Sequence, residues 1–282
     1  TCRLAKVFPA RTPPPETRLK FAARLNAQAE GRVSKREVLD FWPVNLGAMS
    51  RGWVDDHVLE GTATRLDFKM DLRPEVYERG YLNNDSLELV FEVEGAKVSF
   101  LDDVPPVSGA SGVGTLRGNS MTIDVKKGEL GGWIMDDGSI DLPRFHPEGE
   151  TAVLKTTGRG DLKSLMTILE NSSLKTASEA GIEIDPLKGF GGMDATITWP
   201  MQSVIEDTDI GFEVEGGFID ASVPGLAGGF GLIDSDVDVE VDNDGLILRG
   251  QGRFGPAPTE FSWVETFSKV EGEDGHSRLE AT

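Results

Sequence analysis

Along most of the chain apolar and polar side chains alternate. Leu87, Leu89, Phe91 and Val93 share one parity, and Glu88, Glu92 and Glu94 hold the other. Met121, Ile123 and Val125 alternate with Thr122, Asp124 and Lys126, and Val237, Val239 and Val241 with Asp236, Asp238, Glu240 and Asp242. A period of two sends successive side chains to opposite faces of a strand, so these runs predict β-strands with one greasy and one wet face. Val98, Phe100, Ile197, Phe212 and Val214 belong to the same greasy set. Turns are expected at Lys127-Gly128, Asp136-Asp137-Gly138 and Asn243-Asp244-Gly245, and a loop over Pro105-Pro106 and residues 108–114. On the order of 16 strands of about five residues, spaced about 4.8 Å, would make an antiparallel ribbon roughly 75 Å long. Laid flat, such a ribbon would leave its apolar face in water, so the pattern predicts a curled sheet.

Two stretches break the alternation. Ser34 with Glu37 makes a capping box for a short helix, which Pro43 ends at Trp42. A second short helix is expected over residues 47–57, with Met49, Trp53 and Val54 on one side. Asp161 can cap a helix carrying Leu162, Leu165, Met166 and Leu169, within a helical region near residues 161–180. The text also repeats: Phe91-Glu92-Val93-Glu94-Gly95 returns as Phe212-Glu213-Val214-Glu215-Gly216. Tandem similarity at that distance suits a copied multi-strand module. The expected organisation is a basic, Pro-rich connector over residues 1–17, then a first β module over 18–190 with helices near 34–57 and 161–180. A second, partial module over 191–282 continues the same sheet. The last ten residues read as frayed.

Composition narrows the function. With 28 basic and 48 acidic residues the formal charge is −20, which repels phosphate backbones and makes nucleic acid an unsuitable partner. The hydrophobic share of 38% and the 34 glycines fit a sheet wet on one face. Cys2 is the only cysteine, so neither an internal disulfide nor a thiolate metal cluster can form. No run of about 18 apolar residues occurs. The sequence opens at Thr1 rather than Met and reads as an excerpt of something longer.

Glu240-x-Asp242-x-Asp244-Gly245 partly matches a calcium loop, but Gln251 stands where a bidentate Glu belongs, and strand alternation ending in an Asp-Gly turn explains the acids. Ser172-x-x-Lys175 has a nucleophile–base spacing without companion motifs. His57, His146 and His276 share no ligand spacing, and Gly109, Gly112, Gly114 and Gly118 lack the Lys-Ser/Thr of a phosphate loop. Trp42 and Trp53 are expected to pin the helices to the sheet, and Trp133 and Trp199 either pack or line its greasy side. No catalytic residue, metal or cofactor is expected, and the protein reads as a non-enzyme.

Phe41-Trp42-Pro43, the Arg51-Gly52-Trp53 helix and Val58-Leu59-Glu60-Gly61 resemble the opening motif of the YhdP-type domain in the AsmA-like family. Residues 101–109 and 169–189 resemble its next recurrent elements, and the likeness covers roughly residues 18–280. The resemblance implies a mainly β fold: repeated antiparallel strands in a long, twisted, U-sectioned β-groove with a few short helices. It also implies a bridge-like carrier conducting phospholipid between inner and outer membranes, in the periplasm of a Gram-negative bacterium. Its parent protein would be anchored in the inner membrane and would work with further modules and envelope membrane proteins. The groove lining for acyl chains would then be Leu87, Leu89, Phe91, Val93, Val98, Phe100, Met121, Ile123, Val125, Ile197, Phe212, Val214, Val237, Val239 and Val241. A closed β-sandwich, as a structural or protein-binding module of the cell envelope, shares the same alternation and is the rival reading.

Overall fold

The computed structural model describes residues 22–282 apart from 43, 45–47, 74–80, 101–103, 173–176, 179–180, 203, 228–229 and 268–275. Its strands are β1 (Ala23–Ser34), β2 (Val58–Leu72), β3 (Leu87–Val98), β4 (Val107–Arg117), β5 (Ser120–Leu130), β6 (Trp133–Leu142) and β7 (Thr151–Asp161). They continue as β8 (Lys188–Pro200), β9 (Gly211–Ala227), β10 (Phe230–Asp242), β11 (Gly245–Phe254), β12 (Ala257–Thr266) and β13 (His276–Ala281). Among the described residues three short α-helices interrupt them, α1 (Lys35–Phe41), α2 (Ala48–His57) and α3 (Leu162–Asn171), and one 3-10 turn spans Asp207–Asp209. The 13 strands form one antiparallel sheet in strict chain order, and β8 runs through positions 190 and 191 without a break. β1 and β13 are its free edges, so the sheet is open rather than a barrel, and among the described residues no second sheet faces it. The sandwich geometry is thereby corrected to a single layer.

The strands are fewer and longer than their sequence suggested. Apart from the six-residue β13 they run from 10 to 17 residues, and the sheet is about 58 Å across its 13 strands at the usual spacing. Interior glycines lie within strands instead of breaking them. Residues 107–117 form β4 rather than a loop, and Gly112 and Gly114 lie within it. Lys127-Gly128 and Asp136-Asp137-Gly138 sit inside β5 and β6. The hairpin between those strands turns instead at Gly131-Gly132, whose φ angles of 54° and 94° favour residues without a Cβ. The tail is also ordered: β13 pairs with β12 from Phe261↔Ala281 to Thr266↔His276.

The helix starts follow local chemistry. The Ser34 hydroxyl accepts from the Glu37 backbone N–H at 3.3 Å, and the Glu37 carboxylate takes the Ser34 N–H at 2.8 Å. Asp161 caps α3 by accepting from the Ser164 N–H at 2.8 Å. Trp42 closes α1, and Arg51 of α2 donates to the Leu39 and Trp42 carbonyls at the end of α1.

Because every neighbouring pair is antiparallel, all odd-numbered strands end on one rim of the sheet. α1, α2 and α3 follow β1 or β7 and therefore share that rim. The opposite rim carries the connections after even-numbered strands. Accessible surface totals 18284 Å², against about 11,800 Å² for a compact globular protein of this mass. A one-layer sheet with little laid over it contributes to the excess.

Candidate functional site

The greasy parities of neighbouring strands fall in register. One ladder runs Ala29↔Leu66↔Phe91↔Gly114↔Ile123↔Ile140↔Leu154↔Ile197↔Phe212, from β1 to β9. The ladder beside it includes Val93↔Gly112↔Val125↔Gly138 and Ala195↔Val214↔Val241↔Leu246. A third includes Met193↔Gly216↔Val239↔Leu248↔Trp263. Period-two alternation plus this register makes one apolar face across the whole sheet.

Of the 15 residues proposed as lining, 14 lie on strands and on this face. Phe100 does not, because β3 ends at Val98, and its ring is 45% exposed beyond the strand. The larger omission is on the intervening strands. Leu66, Phe68, Met70, Leu116, Ile140, Leu154, Met193, Phe218, Leu248 and Phe261 share the face. Their alternation in the sequence is diluted by glycine, threonine and acidic neighbours.

Glycines shape the floor. Phe91 of β3 lies over Gly114 of β4, and a Cβ there would run into the ring. The Trp133 indole lies over Gly160, where a Cβ would come within 2.6 Å of Cε3. Gly191 likewise makes room for Phe218. Trp133 of β6 and Phe218 of β9 thereby meet with ring centroids 6.3 Å apart, although strands three places apart in a flat sheet would be separated by about 14 Å. Register shifts in eight of the strand pairs add bends, and the sheet curls about its apolar face into a groove.

Cover over this face is uneven. Trp133, Phe218, Ala221, Leu232, Val237 and Val239 are buried in one cluster with Ile168 of α3, and Leu162 and Leu165 pack against it. Val237 and Val239 are only 8% and 9% exposed. On the ladder from Leu66 to Phe212 every large side chain is half-buried, and none belongs to that cluster. Trp199 faces the same side, opposite Ala152. Trp53 does not pin a helix to the sheet: it is 48% exposed and stacks on His57 at 5.1 Å.

The other face is charged and internally paired. Lys69 meets Glu88 at 2.9 Å, Arg159 meets Asp136 at 3.0 Å and Arg249 meets Glu240 at 2.7 Å. The Lys69 ammonium, by hydrogen bond and by charge, holds the Glu88 carboxyl below its ordinary range. A mainly polar depression of about 460 Å³ is lined by Asp137, Lys155, Asp194, Glu213 and Glu215, among others.

The remaining polar candidates have structural partners. Asp242 accepts from the Asp244 and Gly245 N–H groups at 2.7 and 3.0 Å, which builds the β10–β11 turn. The His57 ring lies 2.7 Å from the Ser99 carbonyl, and the Ser172 hydroxyl donates to the Leu169 carbonyl at 2.6 Å. Lys175 lies outside the described residues.

Fold and face together define an open, single-layer β-groove protein with a continuous hydrocarbon lining. The family model described as YhdP protein matches residues 8–208, the greater part of the chain, and the chain belongs to that family. No curated protein and no solved structure matches it. No helix among the described residues is long and apolar enough to cross a membrane.

Proposed function

We propose that this chain is a non-enzymatic segment of a bridge-like lipid transfer protein, whose groove takes up acyl chains and conducts phospholipid between the inner and outer membranes. The observation that carries this reading is the half-buried apolar ladder in register from β1 to β9, outside the buried cluster. A contiguous apolar face that the chain's own side chains do not fully bury marks a binding surface. Each CH₂ taken from water contributes about 0.8 kcal/mol, so a chain of about 16 carbons gains on the order of 10 kcal/mol on full burial. A uniform ladder also supports movement, because each methylene leaves one contact as it makes the next, while a charged headgroup stays in water at the groove mouth.

Family membership supports the setting: the periplasm of a Gram-negative bacterium, in a parent protein anchored in the inner membrane. Further modules of that parent and envelope membrane proteins are its proposed partners, and the net charge of −20 disfavours nucleic acid. The test is native mass spectrometry of protein purified without detergent, together with uptake of a fluorescent fatty acid. Co-purified phospholipid and saturable uptake are expected. A lipid-free protein that takes up no fatty acid would overturn the proposal.

A further inference from the structure

We infer that α3 divides the apolar face lengthwise into a sealed strip and an open lane, and that acyl chains travel only in the lane. The inference rests on the lipid-conducting reading and specifies where on the face it operates. The strip is the buried cluster that α3 caps from β7 and β8, in which Ile168 joins Trp133, Phe218, Leu232 and Val237. The seat is fitted: the Gly131-Gly132 turn lets the helix approach until a Cβ on Gly131 would sit 3.1 Å from Ile168 Cγ1. A well-packed cluster leaves no volume for a guest without lifting the helix.

The lane is the ladder that α3 does not reach. It runs from Leu66 in β2 through Ile123, Ile140, Leu154 and Ile197 to Phe212 in β9. It spans eight strands, or about 34 Å along the groove axis. Every large side chain on it is half-buried. The backbone groups of these interior strands are spent on their neighbours, so a peptide laid along the lane would find no ladder hydrogen bonds. A row of hydrocarbon side chains without a polar anchor fits one occupant, the aliphatic hydrocarbon of an acyl chain. Val237 and Val239, which share the parity of the lining residues, are therefore core residues rather than contacts for lipid.

Photolabelling of the unaltered protein tests this. Phosphatidylcholine vesicles doped with a phosphatidylcholine bearing a diazirine on one acyl chain are mixed with the protein and irradiated. Adducts are then assigned to single residues by tandem mass spectrometry. Adducts on Ile140, Leu154, Ile197 and Phe212, with none above background on Leu232, Val237 or Val239, are the expected result. Equal labelling of both sets, or labelling of the strip alone, would overturn the division while leaving lipid binding intact. No adduct on either set would overturn the division and the lipid-conducting reading together.

Discussion

Phe91 and Gly114 work as a pair. The ring lies where any side chain on Gly114 would stand, so the sheet keeps a low floor there at the cost of a residue that weakens strands. Gly114→Val would force the ring out of place, and such overpacking costs about 1–3 kcal/mol. Urea unfolding should show that loss in the single variant and a smaller added loss when Phe91→Ala is present too, because the clash is then gone. Full additivity of the two changes would mean that ring and glycine do not share the space. A second residue-scale prediction concerns pH. The Ser34 hydroxyl and backbone N–H hold the Glu37 carboxyl below its ordinary value. A depressed folded-state pKa contributes stability that is complete above the ordinary carboxylate range and lost as pH falls through the folded value. Carboxyl titration followed by NMR should show Glu37 protonating later than exposed glutamates on acidification. The Ser34→Ala variant keeps the backbone N–H, so it should bring Glu37 only part of the way back and lower the melting temperature slightly.

Among the elements, α3 makes the sharpest prediction because its sheet contacts funnel through so few side chains. Truncating Ile168 to Ala removes a buried aliphatic group, and changes of that kind cost about 2–5 kcal/mol. The helix should loosen before the sheet does, since the strands hold one another by continuous pairing. The expected signature is faster hydrogen exchange in residues 162–171 with protection retained in β7 and β8. Equal loss in both would make α3 part of the sheet's cooperative core. Elements also differed in how much of them the sequence disclosed. The capping residues Ser34 and Asp161 were readable because a cap is decided within four residues. The apolar face was readable because alternation survives any register. Turns were less so: Gly128 and Gly138 lie in strands whereas Gly131-Gly132 turn, and only the partner across the sheet separates a glycine that makes room from one that bends the chain. The burial of Val237 and Val239 was unreadable, since alternation fixes which face a side chain takes and not what packs against it.

At the scale of the whole molecule, the fold leaves far more surface in water than its mass requires, and that surface must stay greasy without causing collapse or self-association. Charge on the outer face, at −20 overall, opposes association of copies. A guest on the inner face would add stability by mass action, about 2.7 kcal/mol at a hundredfold excess over Kd. Function and stability are therefore separable by position, and a carboxylate placed at two sites on the same face should separate them. Val239→Asp puts a charge into the cluster beneath α3, where no basic partner is at hand, and should unfold the domain or lower its melting temperature sharply. Ile197→Asp puts the same charge on the half-buried ladder, outside the buried cluster. The melting temperature of lipid-free protein should fall little. Fatty-acid uptake should drop severely, because a carboxylate in the lane interrupts the hydrocarbon path for every chain that must pass β8. Thermal melts with and without added lipid read both effects on one sample: Ile197→Asp should lose the lipid-induced rise while keeping its lipid-free transition. If Ile197→Asp instead unfolds as Val239→Asp does, the ladder is core, and the groove has no path along it.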